Sequence, residues 1–84
     1  MSDLRVQFGR RLRALRIERA MTQEDLANAA GVSTVFISSI ERGKYAPSFD
    51  NLAKLARVLD VPVKDLFDFA AGGPLPGKRV RSRR

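Results

Sequence analysis

The chain contains no cysteine, no histidine and no tryptophan, and only one tyrosine. Without cysteine there are no disulfides and no thiol nucleophile. Without histidine there is no Ser-His or Cys-His relay, and no zinc-finger ligand set remains. Long apolar runs are lacking too: none approaches the roughly 20 residues that span a bilayer. Residues 1–16, MSDLRVQFGRRLRALR, hold no apolar stretch of the signal-peptide kind. A soluble, cytoplasmic protein without a membrane association is the expectation. Acidic groups are scarce at the C-terminal end. From residue 72 onward there are five basic residues (Lys78, Arg79, Arg81, Arg83, Arg84) and no acid, so residues 1–71 carry 11 basic against 9 acidic groups. Of the net charge of +7, only +2 belongs to that larger part. Charge alone therefore points to nucleic acid weakly, and mostly through the tail. The carboxylates Asp25, Asp50, Asp60, Asp65 and Asp68 are scattered, with no clustered acid pair and no phosphate-cradling glycine loop. No enzymatic activity, cofactor or metal is expected.

What is present is a dense set of helix punctuation. The 84 residues, 44% of them hydrophobic, suffice for one small domain with a modest core. Residues 22–43, TQEDLANAAGVSTVFISSIERG, read as two short helices joined by a tight turn. Thr22 stands where an N-cap belongs, with Asp25 three residues on as a shortened capping-box acid. Ser33 repeats the cap before the second helix. Gly31 suits the left-handed residue that stops the first. Leu26, Ala27 and Ala30 form an inward stripe, and small Ala27 allows a close crossing. Val32 plugs the turn, and Ile37 and Ile40 face inward from the second helix. Val35, Ser39 and Arg42 then point outward, with Thr34 and Ser38 at the edges of that face. Small polar groups, a valine and an arginine suit a surface that lies against something; the partner is DNA or, as a competing reading, a protein.

Around this pair the spacing predicts a first helix over residues 4–20, capped by Asp3 or Ser2. Leu4, Phe8, Leu12, Leu15 and Ile17 make its apolar face, and Arg5, Arg10, Arg11, Arg13, Arg16 and Arg19 crowd the rest. Arg10 and Arg11 have the reach for backbone phosphates. Gly43 and Pro47 break the chain, and Ser48 caps a fourth helix over 49–59 with Leu52, Leu55, Ala56 and Leu59 inward. Pro62 opens a short fifth helix ending near Phe69. Residues 1–70 thus form the domain. Residues 71–84, AGGPLPGKRVRSRR, are expected to be a flexible basic tail. Phe36 lies beside Ile40 on the wheel, nearer the core than the outward face.

LRxLR at 12–16, TQEDLA at 22–27, AGVS at 30–33, ISSIERGK at 37–44, Pro47-Ser48 and LAKLARVL at 52–59 together resemble the Cro/lambda-repressor-like (XRE) helix-turn-helix family. The likeness covers about residues 4–69. It implies an all-α, compact five-helix domain with the helix-turn-helix at helices 2 and 3. It also implies a double-stranded DNA-binding transcriptional regulator, a repressor or autoregulator of a bacterium or phage, nucleoid-associated when bound. The family's base-contacting positions fall on Thr34, Val35, Ser38 and Ser39. Val35 could touch only apolar surface such as a thymine methyl. Arg42 could make the one bidentate guanine contact, or bind phosphate. The family's phosphate contact at the start of the second helix falls on Gln23. The same logic extends to Ser48 and Asn51, and the following loop offers Lys44 by charge and Tyr45 by its hydroxyl. Arg16 and Glu41 match the family's structural ion pair. Leu66, Phe67 and Phe69 carry more apolar surface than a terminal helix should expose. They close the core or form a homodimer interface, and family members often pair through this end. A symmetric dimer reads a palindromic operator through half-sites about 34–36 Å apart. The alternative function is an antitoxin-type module that neutralises a partner toxin and autoregulates its operon.

Overall fold

The computed structural model describes residues 3–70, and all of the regular structure there is helical. The helices are α1 (Leu4–Glu18), α2 (Gln23–Ala30), α3 (Thr34–Glu41) and α4 (Phe49–Leu59), followed by a 3₁₀ segment, Val63–Phe67. The tail expected at 71–84 lies outside the described residues.

Each of the four α-helices starts on a side-chain cap. Asp3 accepts from the Arg5 N–H, Thr22 from Asp25, Ser33 from Phe36 and Ser48 from Asn51. At α2 the capping box is complete: the Asp25 carboxylate also accepts from the Thr22 N–H at 2.9 Å. That backbone donor and the Thr22 hydroxyl hold the Asp25 carboxyl below its ordinary value of 3.8.

The ends share one device as well. At α3 the Gly43 N–H bonds to the Ile40 carbonyl and the Lys44 N–H to that of Ser39. The same 5→2 and 6→1 pair recurs after α1, α2 and α4 around Ala20, Gly31 and Asp60. All four hinge residues are left-handed, with φ of 57°, 73°, 76° and 60° in chain order. α1 therefore stops two residues short of the expected Ala20, which turns the chain instead of extending the helix.

The core draws Phe8, Leu12 and Leu15 from α1 and the predicted inward positions from α2, α3 and α4. Leu4 and Ile17, expected on the buried face of α1, are exposed, at 57% and 52%. Leu4 begins the helix, before the layer that covers it. Ile17 follows Leu15 by two positions, about 200° round the helix from it.

The expected fifth α-helix is a five-residue 3₁₀ segment that ends at Phe67. Its local bonds are short-range, from Asp65 N–H to Pro62 and from Asp68 N–H to Asp65. The Asp65 carbonyl also receives Nε of Arg11 at 2.7 Å. The chain bends at Asp68, and the Phe69 N–H goes to the Phe67 carbonyl instead of that of Asp65, so no α-helical turn continues from the segment.

Candidate nucleic-acid interface

α3 is presented by two turns and one ion-pair cluster. At its start, Gly31 reverses the chain, Val32 tucks against the core, and the Ser33 hydroxyl caps the helix by accepting from Phe36 N–H at 3.0 Å. At its end, Glu41 is tied to α1 and α2 together. Its carboxylate accepts from Arg16 Nε at 2.7 Å, Arg16 Nη2 at 3.0 Å and Gln23 Nε2 at 3.0 Å. Arg16 Nη1 also donates to the Met21 carbonyl at 2.7 Å. The side chains of Arg16 and Glu41 are only 10% and 3% exposed. The Glu41 charge, which α3 itself carries, is thus neutralised inside the domain. That matters for any polyanion approaching the outward face.

Between these anchors α3 projects its outward residues. Val35 is 73% exposed and places an apolar side chain at the middle of this outward face. Thr34 and Arg42 are exposed, and Ser38 and Ser39 are half-buried. Phe36 lies partly buried against the core, its ring edge-on to Tyr45 at 5.3 Å. This contact orients the exposed Tyr45 beside Lys44 in the loop that leaves α3.

Known proteins share the fold and much of the sequence. The family model described as helix-turn-helix, HTH_3, matches residues 12–66. The chain belongs to the helix-turn-helix family. The control protein C.BamHI of Bacillus amyloliquefaciens is 37% identical over 93% of this chain and 98% of its own length. The transcriptional repressor RghR of Bacillus subtilis is 47% identical over 70% of this chain and 44% of its own. Among solved structures, the restriction-modification controller protein C.AhdI from Aeromonas hydrophila superposes with a TM-score of 0.74 and 40% identity. It covers 75% of this chain and 96% of that one.

Within this helix-turn-helix domain, several residues expected to meet phosphate already have internal work. Gln23 gives one amide hydrogen to Glu41 and keeps a second. Ser48 accepts from the Asn51 N–H at 3.1 Å, which leaves the Ser48 hydroxyl hydrogen and the Asn51 side chain for other partners. Asp50 also sits in the first turn of α4, where its charge opposes a second anion. The first turn of α2 carries two exposed acids, Glu24 and the capping-box Asp25, which oppose an anion there in the same way.

Other expectations need correction. Arg11 does not face the exterior: it is buried and bonded to Asp65, so it staples the C-terminal segment to α1. Leu66, grouped with a dimer surface, is 0% exposed and belongs to the core. Phe67 is exposed but stacks on Phe8 at 5.2 Å, and Phe69 is half-buried against it at 6.2 Å. Of these three residues, Phe67 and Phe69 keep an outer side that could meet a second copy.

Three features went unread in the sequence. Arg19 closes α4 by donating from Nε to the Leu59 carbonyl at 2.6 Å, a role its place among the α1 arginines does not suggest. Phe49 opens α4 with 88% of its surface exposed. Gly9 sits inside α1 where a Cβ would collide with α3. The available signal for Gly9 was its position: a lone glycine within a helical pattern costs stability relative to alanine.

Proposed function

We infer that this chain is a sequence-specific, double-stranded DNA-binding transcriptional regulator of the controller-protein kind, acting as a homodimer. The observation that carries this is the outward face of α3. A nearly bare valine, flanked by Thr34, Ser38, Ser39 and Arg42, is held rigidly at both ends inside a helix-turn-helix. A major groove admits one helix, and its base edges offer thymine methyls to Val35, hydroxyl partners to the serines and a guanine to Arg42. Gln23, Lys44, Tyr45, Ser48 and Asn51 then serve as phosphate contacts, with Lys44 the one that brings a positive charge. Serines discriminate weakly, so specificity draws also on DNA shape and on doubled half-sites.

Phe67, Phe69 and the exposed Val63 support pairing of two copies through the C-terminal end. The likeness to C.BamHI over nearly its full length supports a controller role, as does that to C.AhdI. The relatives' regulatory names do not favour the antitoxin reading, nor do they suggest an enzyme. No helix among the described residues is long and apolar enough to cross a membrane.

Selection of bound duplexes from random sequence tests the reading. The parent should yield a palindromic site, and Val35→Ala and Ser39→Ala should change the preferred bases within each half-site. Equal binding to every sequence by all three proteins would exclude readout by α3.

The basic residues at 78–84 should add sequence-independent attraction through counterion release. Their removal is expected to weaken binding to every duplex and to flatten the plot of log affinity against log salt. Each phosphate that the shortened chain no longer neutralises should change that slope by about 0.9. A slope unchanged by the truncation would assign the tail no part in binding.

A further inference from the structure

We propose that Gly9 is a positioning residue for DNA readout: its missing side chain sets how far the Ser38–Arg42 end of α3 stands from α1. The proposal rests on the reading of α3 as the groove helix and adds the scaffold position that aims it.

Glycine inside a helix costs stability relative to alanine, so its presence at position 9 needs a local reason. The reason is close approach. A Cβ on Gly9 would lie 2.4 Å from the Ile40 carbonyl oxygen and 2.7 Å from that of Glu41. Both obstacles are backbone, in the last turn of α3, and neither can swing aside as a side-chain tip could. Gly43 makes the neighbouring contact. It is left-handed, and its Cβ would meet Val6 Cγ2 at 2.8 Å and Val6 Cα at 3.1 Å. On the remaining side Arg16 and Gln23 grip the Glu41 carboxylate. Three contacts therefore seat one end of α3 on the scaffold, and two of them depend on an absent side chain.

The other end is held separately, by the Ser33 cap and the turn at Val32. An added methyl at position 9 therefore tilts α3 about its N-terminal end. To return from 2.4 Å to ordinary contact at 3.4 Å or more, the last turn must retreat by about 1 Å. Hydrogen bonds tolerate a spread of about 0.5 Å in length. Arg42 is long enough to follow such a shift. Ser38 and Ser39 are not, since each hydroxyl sits one bond beyond Cβ. Readout by the serines fails first, while phosphate contacts from flexible lysine and arginine side chains persist.

The test compares Gly9→Ala with the parent and with Val58→Ala, a half-buried truncation on α4 that serves as a general destabilisation control. All are measured well below their melting temperatures. The readout is the ratio of affinity for the selected site to affinity for a random duplex. Gly9→Ala should lower the ratio at least tenfold while changing random-duplex affinity less than threefold, and Val58→Ala should keep the ratio within threefold. A Gly9→Ala ratio within threefold of the parent would overturn the proposal, as would an equal loss in Val58→Ala. If Gly9→Ala does not fold in buffer, the same ratio is measured for it and for the parent in sucrose, an osmolyte that favours the compact state. The tenfold loss is expected there too, and a ratio within threefold of the parent overturns the proposal. Ser39→Ala and Arg42→Ala separate the two levels. If neither alters the selected sequence, the groove reading itself has failed. If they alter it while the Gly9→Ala ratio holds, only the positioning role has failed.

Discussion

Glu41→Ala is expected to destabilise the domain by about 3–5 kcal/mol, the usual cost of removing one partner of a buried ion pair. Arg16 would keep its bond to the Met21 carbonyl but lose both bonds to the carboxylate, leaving a nearly buried cation uncompensated. Gln23 would lose its acceptor as well. Small domains have only about 5–15 kcal/mol in total, so the loss is a large part of the whole. Urea unfolding followed by circular dichroism measures it directly, and a change below about 1 kcal/mol would show that the cluster is not energetically important. The double variant Arg16→Met/Glu41→Leu should recover most of the loss, because an apolar pair of similar volume removes the desolvation penalty. DNA binding need not recover with it. Gln23 would remain without its acceptor and free to rotate at the start of α2. Stability restored with DNA affinity still reduced is therefore the expected pattern for the double variant.

Leu66→Ala should cost about 2–5 kcal/mol, the range for truncating a fully buried leucine. The cost should not depend on protein concentration, because the cavity opens inside one domain. A dimer-interface residue behaves differently. Its truncation leaves the monomer intact but weakens the pairing, so the apparent melting temperature loses part of its dependence on concentration. Phe67→Ala, with its outer side exposed, is expected to show that second pattern along with some weakening of the packing on Phe8. Thermal scans across a hundredfold range of concentration distinguish the two. A concentration-dependent effect at Leu66 would return that residue to the interface.

These two residues mark the boundary of what could be read in advance. Glu41 and Arg16 were legible as a pair because a family likeness supplied their partnership, although 25 positions separate them. Leu66 was legible as apolar and no further. An apolar side chain near a chain end closes a core or meets a partner, and periodicity is the same in both cases. The five-residue segment around it also looked helical, since Pro62 and the following residues fit a helix start. What ties it to α1 is Arg11, 54 positions away from Asp65.

The helix limits follow from neighbours within three or four residues. Thr22 with Asp25, Ser33 with Phe36, Ser48 with Asn51, and the glycines at 31 and 43 are local devices, and local devices are visible along a chain. The inward stripes of α2, α3 and α4 follow from the 3.6-residue period, and the outward face of α3 is their complement. Long-range contact has no such trace. The approach of Gly9 to the Ile40 and Glu41 carbonyls, the grip of Gln23 on Glu41, and the closing of α4 by Arg19 join positions brought together only when the helices pack. Periodicity says which face of a helix turns inward. What meets that face, and how closely, is settled by the packing of the other helices, and at Gly9 that distance sets the stance of the reading helix.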